Sequence, residues 1–177
     1  GNGMAALAGS ALLKAATGEN ASNNDIGGVE MHSVVTGSVE YLVNDDAESI
    51  ATVRKLIDQL NWNENDAQKT ILNFKDPEYP IEDLAGIVPT DYSKGYDVRE
   101  VIARLVDQSG FIELKPKYGL SMVCAQAKIE GFQCGIIANN GPIDTKGATK
   151  AAQFIQLCDQ ANILSLIHIS EPTRQKP

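Results

Sequence analysis

The sequence predicts an α/β fold, and three observations predict it. Cys134–Ala138 is a short apolar run bounded by Gly131 and Asn139, the signature of a strand buried on both faces. It ends in Asn139-Asn140-Gly141-Pro142, a strong turn signal, and Asp144 or Thr145 then stands ready to cap a helix. With the elements upstream, the order is helix, strand, strand, strand, helix, so the second half of the chain mixes helices and strands.

Taken in order, Ser10 opens a short helix over 11–17 that Gly18 stops. Lys14, inside it, reads as a solvated lysine. Residues 21–28 are polar and end in Gly27-Gly28, a pair whose backbone can take positive φ or approach another group closely. Residues 29–36 and 38–43 read as two strands separated by Gly37. His32 has no nearby Cys or second His, so it reads as an orienting or buried histidine rather than a metal ligand or base. Asn44-Asp45-Asp46 caps what is expected to be the longest helix. Ile50, Val53, Ile57 and Leu60, with Leu56 beside them, form its apolar stripe for packing on a core.

Residues 61–93 are rich in Asn, Asp, Glu and Pro yet keep Ile71, Leu72, Phe74, Leu84, Ile87 and Val88. They are expected to form an ordered connector between domains. Asp97 and Glu100 have capping-box spacing before a helix that buries Val98, Val101, Ile102, Leu105 and Val106. Gly110 ends it. Strands follow at 111–115, 121–129 and 134–138, the last two joined by a tight turn at Glu130-Gly131. The final helix is expected to bury Ala148, Ala151, Ala152, Ile155 and Cys158.

Bulk properties narrow the function. The 177 residues suffice for one core or parts of two domains, and a hydrophobic content of 43% suits a globular protein. A net charge of −8 argues against nucleic-acid or anionic-membrane binding. No apolar run approaches the ~20 residues of a membrane helix. No positive region precedes the first apolar residues, so no signal peptide is expected. Cys124, Cys134 and Cys158 lie among apolar neighbours without metal spacing and read as buried thiols in a reducing compartment. There is no G-x-G-x-x-G, no G-x-S-x-G and no convincing acid–base pair.

Five stretches, in order, resemble the carboxyltransferase (beta) subunit of biotin-dependent acyl-CoA carboxylases. They are Leu13-Lys-Ala-Ala-Thr-Gly-Glu19, Ile26-Gly-Gly-Val-Glu-Met-His32, Thr36-Gly-Ser-Val-Glu-Tyr-Leu42, Tyr96-Asp-Val-Arg-Glu-Val-Ile-Ala-Arg104 and Gly135-Ile-Ile-Ala-Asn-Asn-Gly141. Gly141–Lys150 and Phe154–Cys158 look most like the methylcrotonyl-CoA and geranyl-CoA carboxylase branch. The resemblance implies a crotonase-like α/β fold, a spiral of β-β-α units in two related domains, here truncated. Residues 1–60 would end the N-terminal domain, 61–96 connect, and 97–163 begin the C-terminal domain.

The implied chemistry moves a carboxyl group from carboxybiotin, borne by a biotin carboxylase/biotin carrier partner, to an acyl-CoA such as methylcrotonyl-CoA or geranyl-CoA. Biotin and a CoA thioester are thus expected, with no metal. The active site would lie at the interface of a homo-oligomer, with no nucleic acid or membrane involved. The family's main oxyanion donors are expected outside this segment, so no catalytic residue is assigned. Asn139, Asn140 and Gly141 are expected on the biotin side, and Gly27 and Gly28 in the acyl-CoA-side wall. Alternatives are a biotin-dependent acyl-CoA decarboxylase, such as one acting on glutaconyl-CoA, and a non-catalytic module keeping the fold. The location would be cytoplasmic in a bacterium and the mitochondrial matrix in a eukaryote. After Ile163 the family pattern stops: Leu164-Ser-Leu-Ile-His-Ile-Ser-Glu-Pro-Thr-Arg174 resembles a translated transposase sequencing adapter. Residues 164–177 are therefore expected to be a non-native tail.

Overall fold

The computed structural model describes residues 3–59, 74–91 and 94–168. Its centre is a four-stranded sheet in the order β1-β2-β3-β4, with β1 Phe111–Glu113, β2 Met122–Ile129, β3 Phe132–Asn139 and β4 Leu164–His168. The first two pairings are antiparallel. β4 returns parallel to β3 through the helix Thr145–Gln160, so β2, β3 and this helix make one β-β-α unit. The expected turn joins β2 to β3: Glu130 and Gly131 both take positive φ, at 51° and 80°, which matches the right-handed twist of a tight hairpin. Asp107 secures it by accepting hydrogen bonds from both turn amides, at 2.8 and 2.7 Å.

Both faces of the sheet are covered, as the unbroken apolar run at 134–138 requires. One face carries Val123, Ala125, Ala127, Cys134, Ile136 and Ala138 against Val98, Ile102 and Val106. The other carries Met122, Cys124 and Ile137 against Leu114, Phe154 and Cys158. Three expectations about the flanking helices need correction. The helix Val98–Ile102 is a single short turn, so Leu105 falls beyond it and is exposed, and Val101 is only half-buried. Glu100 does not reach back to Asp97; it accepts from Arg104 Nη1 at 2.9 Å, while Asp97 caps the helix through Arg99 N–H at 3.0 Å. Helix Thr145–Gln160 buries Gly147, Lys150, Phe154 and Cys158, with Ala151 half-buried, and leaves Ala148, Ala152 and Ile155 outside. Its buried face is therefore rotated from the small-residue stripe.

Before the sheet the chain is helical: α1 Ser10–Thr17, α2 Asn23–Gly27, α3 Val29–Met31 and α4 Asp46–Gln59. Gly9 rather than Ser10 occupies the α1 N-cap, and Gly18 ends the helix at φ 77°. A capping box between Ser22 and Asp25 starts α2. The strand expected over 29–36 is instead α3 continued by a wide helical turn, His32–Thr36, closed by Gly37 at φ 66°. The local reason is a side-chain knot with helical spacing. His32 Nδ1 lies 3.1 Å from Thr36 Oγ1 and from Ser38 Oγ, and His32 Nε2 lies 2.7 Å from the Ala5 carbonyl oxygen. These contacts override the β-propensity of Val34, Val35 and Thr36. Residues 38–43 bend without forming a strand, and Tyr41 packs on the Phe154 face of the core.

Helix α4 starts as expected, with Asp45 accepting from Glu48 N–H at 2.8 Å; against 16 residues in Thr145–Gln160, 14 of its residues are described, up to Gln59, where this described stretch ends. None of its side chains is buried, and Ile50, Val53 and Ile57 stand about half exposed. An apolar stripe reports a face that needs cover; the described residues do not supply that cover. Leu60, the last residue of the stripe, and residues 61–73 and 92–93 of the expected connector lie outside the described residues. The part that is described includes α5 Leu84–Ile87 and is tied to the sheet unit: Ser109 Oγ accepts from Glu78 N–H at 2.9 Å, and Arg104 stacks 5.2 Å from the Tyr79 ring. Continuing the numbering, Val98–Ile102 is α6 and Thr145–Gln160 is α7.

Candidate functional site

The carboxyl end of β3 delivers Asn139, Asn140 and Gly141 to one turn. Asn139 is buried, pairs with Met122 across the ladder, and its Nδ2 donates to Gly141 O at 3.3 Å. Asn140 is held twice. Its N–H donates to Ser121 O at 2.7 Å, and its Oδ1 accepts from Val98 N–H at 2.9 Å. Gly141 has φ 143°, a conformation L side chains avoid, and a Cβ there would meet nothing within 4 Å. The requirement for glycine is thus conformational, and the space beside it is open.

The start of α7 closes the turn. Asp144 accepts from Gly147 N–H at 2.6 Å and from Ser121 Oγ at 2.8 Å, and these two donors hold its carboxyl below the usual carboxylate range. Gly147 is required for another reason: a Cβ there would sit 2.2 Å from Ser121 Oγ and 2.8 Å from Met122 Cγ.

Beneath the turn lies a buried charge network that the sequence does not announce. Lys150 Nζ, fully enclosed, donates to Glu113 Oε1 at 3.1 Å and to Met122 O at 2.9 Å. Glu113 in turn accepts both arms of Arg99, at 2.7 and 3.0 Å, and Arg99 also bridges to Asp97 at 3.2 Å. A lysine in a helix ordinarily reads as solvated. The available signal was its spacing from Gly147, Phe154 and Cys158 on one face, with Glu113 the one acidic residue of β1.

Gly27 and Gly28 occupy a different place. Gly27 is packed by its own chain: a Cβ would come within 2.5 Å of Ala5 O and 2.7 Å of Ala6 Cβ, and Ala5 N–H donates to Gly27 O. Gly28 bridges to Met4 and presses on Asn24. Ala5–Ala8, Leu12, Leu13, Ala16, Ile26 and His32 line an open apolar cleft of about 480 Å³; Gly27 packs behind its Ala5 and Ala6 edge, and neither glycine lines it. The glycine pair and the Asn139 turn have no residue in common among these contacts. Lysines join residues 34–40 to the sheet unit. Lys115 Nζ donates to Gly37 O and lies 3.6 Å from Glu40, and Lys146 Nζ reaches Val34 O at 3.3 Å.

The three cysteines are buried and free. Burial pushes the Cys124 thiol up to about 12 and raises Cys134 and Cys158 in the same direction. At pH 8 a thiol of pKa about 12 carries about a thousandfold less thiolate than an ordinary one. Iodoacetamide at pH 8 should therefore leave Cys124 of the folded chain unlabelled and label it rapidly in urea; equal rates would refute its burial. Among the described residues no group of His, Cys, Asp and Glu could hold a metal ion, and no helix is long and apolar enough to cross a membrane.

Sequence and structure both connect the chain to known proteins. Residues 1–171 match the family described as Carboxyl transferase domain. The chain is 43% identical over 163 residues to the mitochondrial methylcrotonoyl-CoA carboxylase beta chain of Dictyostelium discoideum, covering 92% of this chain and 28% of that one. Among solved structures it resembles transcarboxylase 12S, whose structure shows a hexamer with methylmalonyl-coenzyme A bound, at a TM-score of 0.83 and 31% identity over 98% of this chain and 36% of that one. It also resembles the beta subunit of geranyl-CoA carboxylase from P. aeruginosa, at a TM-score of 0.52 and 40% identity over 96% of this chain and 32% of that one. The chain thus spans less than a third of the length of its Dictyostelium relative.

Proposed function

The chain belongs to the carboxyl transferase domain family, and from that premise we propose that it is a segment of the carboxyltransferase subunit of a biotin-dependent acyl-CoA carboxylase. The observation that carries this reading is 43% identity across 92% of the chain to a methylcrotonoyl-CoA carboxylase beta chain. The 40% identity to a geranyl-CoA carboxylase subunit, against 31% for transcarboxylase 12S, supports a branched or terpenoid enoyl-CoA as the acceptor. In this reading residues 1–60 end a first domain, 61–96 connect, 97–163 open a second, and 164–177 stay outside the functional part.

Biotin, carried in by a partner subunit, supplies the transferable carboxyl group. This chain's own residues bind and orient. The Asn139–Gly141 turn would face the ureido ring, and two features support that fit: neutral amide groups at the end of a buried central strand, and open space where Gly141 lacks a side chain. The apolar cleft whose Ala5 and Ala6 edge packs on Gly27 would border the acyl-CoA, with His32 fixing that edge through the 2.7 Å contact. The buried thiols take no part. Partners would be the biotin carboxylase and carrier subunits and further copies of this subunit, as the hexamer of transcarboxylase 12S suggests. The compartment would be the mitochondrial matrix in a eukaryote, as for the Dictyostelium relative, and the cytoplasm in a bacterium.

The test is to titrate the labelled chain separately with free biotin and with methylcrotonyl-CoA and follow its amide resonances. Biotin should shift Asn139–Gly141, and the thioester should shift residues 5–8 with Gly27 and Gly28. Shifts confined to other surfaces would overturn the assignment of both walls.

A further inference from the structure

We infer that Lys150, Glu113 and Arg99 form a buried clamp that positions the Asn139–Gly141 turn, and so act as positioning residues for the biotin side of the site. The functional half of this inference rests on the proposed carboxyltransferase function. The contacts close a ring around the carboxyl end of β3. From Lys150, one bond goes to Met122 O, and Met122 is the ladder partner of Asn139. Another goes to Glu113, which grips Arg99 with two bonds. Arg99 binds Asp97 through both its main-chain N–H and its guanidinium. Between them, Val98 offers its N–H to Asn140 Oδ1. The network therefore reaches the turn through main chain at both ends, by way of Met122 opposite Asn139 and of Val98 bonded to Asn140.

Stability alone is a poor reason for this arrangement. Enclosing a lysine and a glutamate strips both of water, and well-packed apolar residues often serve equally well. Apolar residues lack direction, however, whereas the fork of Arg99 and the two bonds of Lys150 fix angles as well as distances. A side chain that never meets solvent thus sets the geometry of one that does.

The experiment measures amide exchange residue by residue in the ligand-free 177-residue chain and in Lys150→Met, Arg99→Gln and Lys150→Met/Glu113→Gln. In each variant, exchange at Asn140 N–H and Val98 N–H should rise about tenfold or more, the loss expected when a buried partner is removed. The central ladder amides of Ala125 and Ile136 should keep their protection. The double variant removes two opposite charges together, so a role in charge balance alone would restore Asn140 to wild-type exchange; positioning would leave it fast. Arg99 is partly exposed at the rim, so Arg99→Gln carries the test if Lys150→Met does not fold. An equal rise at every amide, no rise at the turn, or restored protection in the double variant would overturn the clamp. A biotin titration of the wild-type chain separates the two ideas. Absence of shifts at Asn139–Gly141 would remove the biotin reading, while the exchange result, obtained without ligand, would stand.

Discussion

Residues 1–163 of this chain, given carboxybiotin and methylcrotonyl-CoA or geranyl-CoA, are expected to give no measurable carboxyl transfer. This type of catalysis needs hydrogen-bond donors aimed at the oxygens where charge develops, and losing one such donor typically costs ~10²–10³ in rate. Three donors near the carboxyl end of β3 are already engaged. Asn140 N–H is taken by Ser121 O, Val98 N–H by Asn140 Oδ1, and Gly147 N–H by Asp144. On the family resemblance the principal donor turns are expected outside this stretch, and the chain matches only 28% of its Dictyostelium relative. The assay follows labelled carboxyl from carboxybiotin to the thioester. Turnover within tenfold of a complete beta subunit would show that this segment holds the donors, with Gly27, Gly28 and the Asn139 turn the first places to search.

The second large effect is on stability. Phe154→Ala should cost about 3–5 kcal/mol, the range for emptying a buried aromatic site. Phe154 is 1% exposed at the centre of the α7 face, among Leu114, Met122, Cys124, Ile137 and Cys158. Neighbours on three elements cannot all move inward together, so the cavity should persist. A Cβ on Gly135 would already stand 3.1 Å from the Phe154 ring and 2.4 Å from Cys158 Sγ, which shows how closely helix and strand approach there. Urea unfolding of wild type and variant gives the difference. A loss below about 1 kcal/mol would mean that α7 does not pack on the sheet through this face.

The sheet half of the fold was legible because its signals are local and mutually consistent. The 134–138 run, the Glu130-Gly131 turn and the Asp144 cap each specify one backbone geometry, and all three agree. The helical half was less legible. Residues 29–36 carry strand-forming side chains, but His32 ties Ala5, Thr36 and Ser38 together, and two of those partners are visible only once the chain is folded. For α7 the small residues suggested one face, whereas the fold buries a lysine on the next; a sequence shows the charge but not the glutamate waiting for it. The Asn139–Gly141 turn was found from its pattern alone. That pattern could not show Asn140 committed to Val98 and Ser121, since both contacts span distant parts of the chain.

The fourth strand bears on ancestry. β4 is held to β3 by peptide groups, from Cys134 opposite Leu164 to Ala138 opposite His168. The side chains of 164–167 stay exposed, Leu164 by 77%. Main-chain pairing asks only for residues that extend readily and for no proline, and Leu-Ser-Leu-Ile-His meets that demand whatever its origin. The edge of the sheet therefore reads a stretch of polypeptide without reading its provenance: an inherited strand and a foreign one of similar character would dock alike. The family match itself extends to residue 171, past Ile163, where the family pattern was expected to stop. Provenance is written in the nucleotides that encode residues 164 onward, and there alone do the two histories differ.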